Sequence, residues 1–160
     1  MTSAIIEEKA NLWPAVLLFS VSYLLVSALV TGMLVAFDLN SNTGVSIGLL
    51  LAATAVAARK FVIDHRRPLS RGEQMRFAFL ATAAMLVITL IQVVVVMPMF
   101  FTAAELPQLI AEAKAWAAAN AVLLSLISLV VLILSLMVLY FASGWFSRWF
   151  DKRLTATGKI

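Results

Sequence analysis

The stretch at residues 64–73 brings together the one histidine of this sequence, three arginines, two acidic side chains and a serine, which are side chains that could perform chemistry. It reads Asp-His-Arg-Arg-Pro-Leu-Ser-Arg-Gly-Glu. An enzyme acting on lipid phosphates could use His65 as a nucleophile, with Arg66 and Arg67 binding the phosphate group. A lone histidine among arginines is weak evidence for catalysis, and attraction to anionic lipid headgroups accounts for the basic side chains as well. We therefore expect no catalytic residue here.

Basic side chains between residues 59 and 71 and near the end of the sequence are expected to contact anionic headgroups. They are Arg59, Lys60, Arg66, Arg67, Arg71, Arg148, Lys152 and Arg153. Ser70 and Glu73 have the Ser-x-x-Glu spacing of a capping box, which predicts that a helix begins at this point.

Chemistry that depends on metals or thiols has few residues available. The sequence contains no cysteine and one histidine, which excludes disulfides and thiolate catalysis and makes a transition-metal site unlikely on composition alone. We expect neither a metal ion nor a cofactor. The long apolar stretches also lack ionisable side chains at their centres, which argues against proton-coupled transport.

Gln92 is the most polar side chain within an apolar stretch. An amide in hydrocarbon needs a hydrogen-bond partner, so we expect Gln92 to face another helix. It could line a pore, but a contact that holds helices together is the preferred interpretation. Ser125, Ser128 and Ser135 on the fourth stretch are the predicted partners, and Ser20, Ser27 and Thr31 form a similar polar stripe on the first.

Gly44, Gly48 and Ala52 follow one another at four-residue spacing. Small residues at this spacing let two helices approach closely. We expect packing inside a single bundle, and the alternative is a seam between two copies of the chain.

The helices that position these residues are predicted to span a membrane. Apolar residues make up 63% of the 160 residues and charged residues 12%, against about half and about a quarter in soluble domains. A span needs about 20 apolar residues. The sequence predicts one all-α transmembrane domain over residues 1–160, with spans at about 13–37, 43–63, 74–101 and 120–146.

The second span is the shortest of the four, and its uncharged part runs only from Gly44 to Ala58. Arg59 and Lys60 can extend their charges to the headgroups, so the helix can continue to Ile63. A re-entrant or interfacial segment is the alternative.

The distribution of basic residues predicts the orientation. With four spans, both ends and the loop 59–76 lie on one side and hold eleven of the twelve lysines and arginines, leaving Lys114 on the other. Basic flanks stay in the cytoplasm, so both termini are predicted to be cytoplasmic. This distribution, rather than a nucleic-acid partner, accounts for the net charge of +4. We also expect an outer interfacial helix at 107–119 and an amphipathic cytoplasmic tail at 145–160.

The central loop resembles that of an uncharacterised family of small four-span bacterial inner-membrane proteins, named after a locus tag that begins ABZJ. The residues that carry the resemblance are Phe61, Arg67-Pro68 and Glu73, together with Asn42–Gly44 and the aromatic and basic segment after Tyr140. The resemblance implies a bacterial cytoplasmic membrane and a four-helix transmembrane bundle. It implies no activity.

Three functions remain as hypotheses. The first is a non-enzymatic membrane protein that binds a partner in the bilayer, either as an immunity protein against a membrane-active toxin or as an accessory subunit. The second is a small dimeric channel or facilitator. The third is the lipid-phosphate enzyme that would use the basic loop.

Overall fold

The computed structural model describes residues 10–37, 43–102 and 105–158, apart from the side chains of 34–36, 43 and 96–100. These residues form helices and connections, with no strand among them. The helices are α1 (Trp13–Ala36), α2 (Thr43–His65), α3 (Arg71–Phe100), α4 (Leu106–Ala119) and α5 (Ala121–Ala156). All but α4 are long enough and apolar enough to cross a membrane. The predicted all-helical fold with four long apolar helices is therefore confirmed.

The helix α2 does not stop at the end of its uncharged stretch. It passes through Arg59 and Lys60 and ends at His65, which gives 23 residues. At 1.5 Å per residue that is about 34 Å, enough for the roughly 30 Å of a hydrocarbon core. Lys60 forms a 2.7 Å ion pair with Asp64 one turn later, so its charge is neutralised near the end of the helix.

The helix α5 is longer than expected. The sequence predicted a span that ends at residue 146 and a separate tail from 145, whereas α5 continues without a break to Ala156 and contains 36 residues. Its length of about 54 Å exceeds the roughly 30 Å thickness of a bilayer core. Gly144, which could have broken the helix, is instead a close-packed helical position. Lys159 lies outside the described residues, as do Lys9 and Asn42.

One end of the bundle, here called the basic end, is where α1 and α3 begin and α2 and α5 finish. The connection at residues 66–70 joins the end of α2 to the start of α3. Phe19 of α1 packs edge-to-face on Phe77 of α3 with ring centroids 5.9 Å apart. Gly144, late in α5, lies against Gln74, early in α3. The loop 59–76 and the last turns of α5 therefore lie at the same end.

The core lies in the half of the bundle nearest the basic end. Its largest fully buried side chains include Phe19, Phe61, Phe77 and Leu139. Small buried residues surround them; among these are Ala53, Ala57, Ala78, Ala81, Ala142 and Ser143. Alanine, serine and glycine let helix backbones come close together, which is how membrane helices gain packing energy where water is absent.

The other half of the bundle, here called the distal half, is not closed in this way. Among the described residues, none is buried beyond Ser27 in α1, before Leu50 in α2, beyond Thr82 in α3 or before Leu139 in α5. The α5 sequence over 122–138 is rich in leucine, valine and isoleucine and has no alanine or glycine. Bulky branched side chains keep backbones apart, so this half of α5 presents apolar surface outward.

The short helix α4 packs loosely, with no buried residue. Before it, the Glu105 carboxylate accepts hydrogen bonds from the backbone N–H of Thr102 at 2.9 Å and from its hydroxyl at 2.8 Å. These two bonds lower the pKa of Glu105 below its usual value. The arrangement orients the turn that leads into α4 at the distal end.

Candidate functional site

The loop between α2 and α3 is closed by an ion pair, here called the Arg67–Glu73 clip. The two terminal nitrogens of Arg67, Nη1 and Nη2, donate to Oε2 and Oε1 of Glu73 at 2.8 and 2.7 Å. This two-point geometry is the strongest form of a charged hydrogen bond in proteins. The Glu73 side chain is 11% exposed and that of Arg67 is 40% exposed, so water screens the pair only in part. The clip fixes the angle at which the chain turns from α2 into α3.

The same carboxylate also closes the capping box predicted from the sequence. The Ser70 backbone N–H donates to Oε2 of Glu73 at 2.8 Å, and the Glu73 backbone N–H donates to the Ser70 hydroxyl at 3.4 Å. These bonds satisfy backbone donors at the start of α3 that have no partner within the helix. Glu73 thus serves both as a helix cap and as the partner of Arg67.

Gln74 connects this loop to α5. Its side chain is buried, and its Nε2 donates to the Leu69 carbonyl oxygen at 2.9 Å. A Cβ atom added at Gly144 would lie 2.7 Å from the Gln74 amide oxygen, so an alanine there would displace the Gln74 side chain and disturb its bond to Leu69. This pairing could not be predicted from local sequence patterns, because 70 residues separate the two positions.

His65, which the lipid-phosphate enzyme hypothesis would use as its nucleophile, lies against the same loop. Its ring stacks on Phe61 with centroids 4.3 Å apart, and its Nδ1 lies 3.1 Å from the Phe61 carbonyl oxygen. The guanidinium of Arg67 lies 5.7 Å from the centre of the same Phe61 ring. His65 and Arg67 are therefore brought together, but around a buried aromatic ring rather than around an open space.

Most of the basic side chains predicted to contact lipid are exposed at the basic end. They are Arg59, Lys60, Arg66, Arg71, Arg148, Lys152 and Arg153. Arg66 ends α2 with a left-handed backbone conformation (φ 51°). Arg148 donates to the Gly144 carbonyl oxygen at 2.9 Å, and Arg153 stacks over Trp149 at 4.2 Å. Arg67 is the exception in the predicted set, because Glu73 holds its guanidinium.

Gln92 does face another helix, but the partner differs from the prediction. Its Nε2 donates to the Ser27 hydroxyl of α1 at 2.7 Å, and that hydroxyl donates in turn to the Leu24 carbonyl oxygen at 3.0 Å. The predicted partners on α5 are wrong for this residue. The hydroxyl of Ser125 donates to the carbonyl of Ala121 in its own helix, and Ser125 and Ser128 are exposed. Ser135 is half-buried, with no described bond to Gln92.

The small-residue stripe of α2 points outward. Gly44, Gly48 and Ala52 are all exposed, and a Cβ atom added at Gly48 would meet no atom within 4 Å. The expectation that they pack inside a single bundle is therefore wrong. The packed face of α2 carries Leu50, Ala53, Thr54, Ala57, Phe61 and Val62. Both faces are rich in small residues, so composition alone could not tell which one turns inward.

No group of histidine and acidic side chains suited to holding a metal ion occurs in the part of the chain that the structure describes. No protein-family model matches this chain, and neither does any curated protein or solved structure. The arrangement of the residues themselves therefore carries the argument on function.

Proposed function

We propose that this chain is a four-span protein of a bacterial inner membrane that acts without catalysis, by binding a partner within the bilayer. The proposed orientation has both termini and the basic loop in the cytoplasm. It is supported by the eleven of twelve basic residues that four spans bring to one side. The bacterial membrane is proposed from the resemblance of the central loop.

The observation that carries the partner-binding proposal is the contrast between the two halves of the bundle. The half nearest the basic end has a compact core, whereas the distal half has no buried residue among those described. Its apolar surface is open to another transmembrane segment as well as to lipid. The half-buried Gln92 lies within it and uses its N–H group on Ser27, so its amide oxygen remains as an acceptor for a partner.

The contacts of the basic loop favour binding over catalysis. The residues that a lipid-phosphate enzyme would use are engaged within the protein, since Arg67 is held by Glu73 and His65 is stacked on Phe61. A phosphate could reach Arg67 only by displacing a two-point ion pair. The loop is accordingly assigned to structure and to contact with lipid headgroups.

An immunity protein against a membrane-active toxin is the most concrete form of this function, and an accessory subunit of a larger complex is the next. An immunity protein protects its own cell, so deletion of the gene should sensitise cells to the product of a neighbouring toxin gene. Unchanged sensitivity would exclude this form of the proposal.

Site-directed photo-crosslinking in native membranes tests the partner-binding face. The chain has no cysteine, so a single introduced cysteine is the only attachment point for a thiol-reactive photo-crosslinker. Val130→Cys places the probe on the distal half of α5, at a residue that is 54% exposed. Leu17→Cys is the matched control on the packed half of α1, at 60% exposure. We expect a protein adduct from position 130 and none from position 17; equal labelling at both positions, or no adduct at either, would contradict the proposal.

A dimeric channel or facilitator is the second candidate, and the outward-facing Gly44, Gly48 and Ala52 favour it. A second copy could approach this face closely. The adduct would then have twice the 17.4 kDa mass of the chain. Purified protein in liposomes should also give a solute flux that Gln92→Leu alters, and absence of flux would exclude the channel.

A further inference from the structure

A groove at the basic end opens between the first residues of α1 and the first turns of α3. Its volume is about 450 Å³, and its lining includes Asn11, Trp13, Arg76, Phe79 and Leu80. Trp13 and Phe79 are 62% and 57% exposed, so aromatic surface forms much of the wall. In the proposed orientation this groove would lie at the level of the cytoplasmic leaflet.

Among the described residues that line the groove, Arg76 is the only charged one. It is exposed, and no hydrogen bond or ion pair joins it to any residue that the structure describes. The acidic residue nearest to it in α3 is Glu73, whose two carboxylate oxygens already bind Arg67 and Ser70. Arg76 therefore has no described carboxylate partner within the protein.

The depth of Arg76 makes an anionic partner favourable. Arg76 lies five residues after Arg71, the first residue of α3, which is about 8 Å along the helix. Phe77, Phe79 and Leu80 follow directly. In the proposed membrane placement, the guanidinium would therefore lie where the polar headgroups give way to acyl chains. A charge at this depth gains most from a partner of opposite sign.

Two further donors lie on the same groove. The side-chain oxygen of Asn11 accepts the Trp13 backbone N–H at 3.1 Å, which leaves the Asn11 amide N–H group as a donor. The indole of Trp13 adds another N–H on an exposed ring. Lipid phosphate oxygens are acceptors of the matching kind, and the exposed faces of Phe79 and Leu80 suit an acyl chain.

We propose that this groove binds one acidic phospholipid, with its phosphate on Arg76, Asn11 and Trp13 and an acyl chain along Phe79 and Leu80. An acidic lipid fits better than a zwitterionic one, because a cationic headgroup would bring a second positive charge close to Arg76. The site rests on the membrane placement of the chain and is independent of partner binding in the distal half. The other basic residues attract anionic headgroups without binding a particular lipid. This site differs from them, because its hydrogen-bond donors and its apolar walls would contact the same lipid molecule.

Lipid retention by the full-length purified protein tests this site. Phosphatidylglycerol and phosphatidylcholine with identical acyl chains are titrated against the protein in neutral detergent, and the bound lipids are counted by native mass spectrometry. We expect wild type to retain one phosphatidylglycerol in preference to phosphatidylcholine. Arg76→Gln should weaken this retention by about tenfold or more, the factor expected for loss of one charge-assisted contact.

Arg71→Gln is the matched control, because it removes the same charge from the same helix about 140° around its axis. It should leave retention within about twofold, since the diffuse attraction of a bilayer surface is absent in detergent. Arg76→Lys, which keeps the charge without the planar fork, should fall between wild type and Arg76→Gln. Equal unfolding midpoints in a detergent titration show that the variants are folded.

Several results would overturn the proposal. One is retention by Arg76→Gln equal to wild type, which would show that the guanidinium does not hold the lipid. Another is a loss of lipid retention in Arg71→Gln as large as that in Arg76→Gln. A third is equal retention of phosphatidylglycerol and phosphatidylcholine by the wild-type protein. Full displacement of the lipid by soluble glycerol phosphate would assign the site to a free phosphate compound instead of a lipid.

Discussion

Replacing Glu73 by glutamine should destabilise the chain by about 2 kcal/mol, because one carboxylate completes both the Arg67–Glu73 clip and the cap of α3. Glutamine has nearly the same shape, but it has a single acceptor oxygen and carries no charge. Whichever way its amide turns, its N–H group faces the Arg67 guanidinium, and in one of the two orientations it also faces the Ser70 backbone N–H.

The magnitude follows from how far the pair is shielded from water. Exposed ion pairs contribute about 0.2–1 kcal/mol, and breaking a fully buried pair costs about 3–5 kcal/mol. The clip lies between these limits, because the Glu73 side chain is 11% exposed and that of Arg67 is 40% exposed. Its two short bonds, at 2.7 and 2.8 Å, place it above the range for exposed pairs.

The assay is equilibrium unfolding of the full chain in mixed micelles with increasing SDS, followed by circular dichroism. A double-mutant cycle with Arg67→Gln isolates the interaction between the two side chains, which should be about 1 kcal/mol or more. Asp64→Asn is the control, because it breaks the exposed 2.7 Å pair with Lys60 and should cost less than about 0.5 kcal/mol. A coupling energy no larger than that of the control would refute the reasoning.

Three further predictions concern other contacts. Gly144→Ala should destabilise by about 1–3 kcal/mol through overpacking, measured by the same unfolding assay, and should be nearly neutral or stabilising once Gln74→Ala has removed the obstruction. Gln92→Leu should change the free energy of unfolding by about 0.6–2 kcal/mol, because it removes the 2.7 Å hydrogen bond to Ser27. In a Ser27→Ala background, where that bond is already absent, much of this change should disappear. The lowered pKa of Glu105 means that its bonds contribute stability above the usual carboxyl pKa, and this contribution is lost as pH falls through the lowered value. The hydrogen-exchange protection factor of the Thr102 backbone amide, which donates to Glu105, should therefore decrease in acid. An unchanged protection factor would contradict this prediction.

The helices could be predicted from the sequence because each depends on local information. Twenty or more apolar residues in a row predict a helix long enough to span. Ser70 and Glu73 predict the start of α3 through a contact across three residues, and the structure contains that contact. Even the short second stretch extends as expected, because Arg59 and Lys60 remain exposed at the end of α2.

The contacts between helices could not be predicted in the same way. The Gln92 amide requires a hydrogen-bond partner, and from the sequence alone the serines on α1 and on α5 are equally suitable. The packing of the helices decides between them, because it places a serine of α1 against Gln92. The Gly44 and Gly48 stripe and the buried alanine face of α2 have the same kind of composition, so the sequence does not distinguish inside from outside. In lipid the usual guide of apolar inside and polar outside is absent, and only shape decides.

The mass of the complex extracted directly from native membranes tests the central proposal most directly. Native mass spectrometry of the full chain in a mild detergent or polymer disc should find it bound to a second protein, either a different partner or a second copy. A bulky substitution on the distal half of α5, such as Val130→Trp, should dissociate this complex. Leu17→Trp, on the packed half of α1, should leave the complex intact. A chain recovered only as the 17.4 kDa monomer with lipid, from cells that express it at its natural level, would contradict the account.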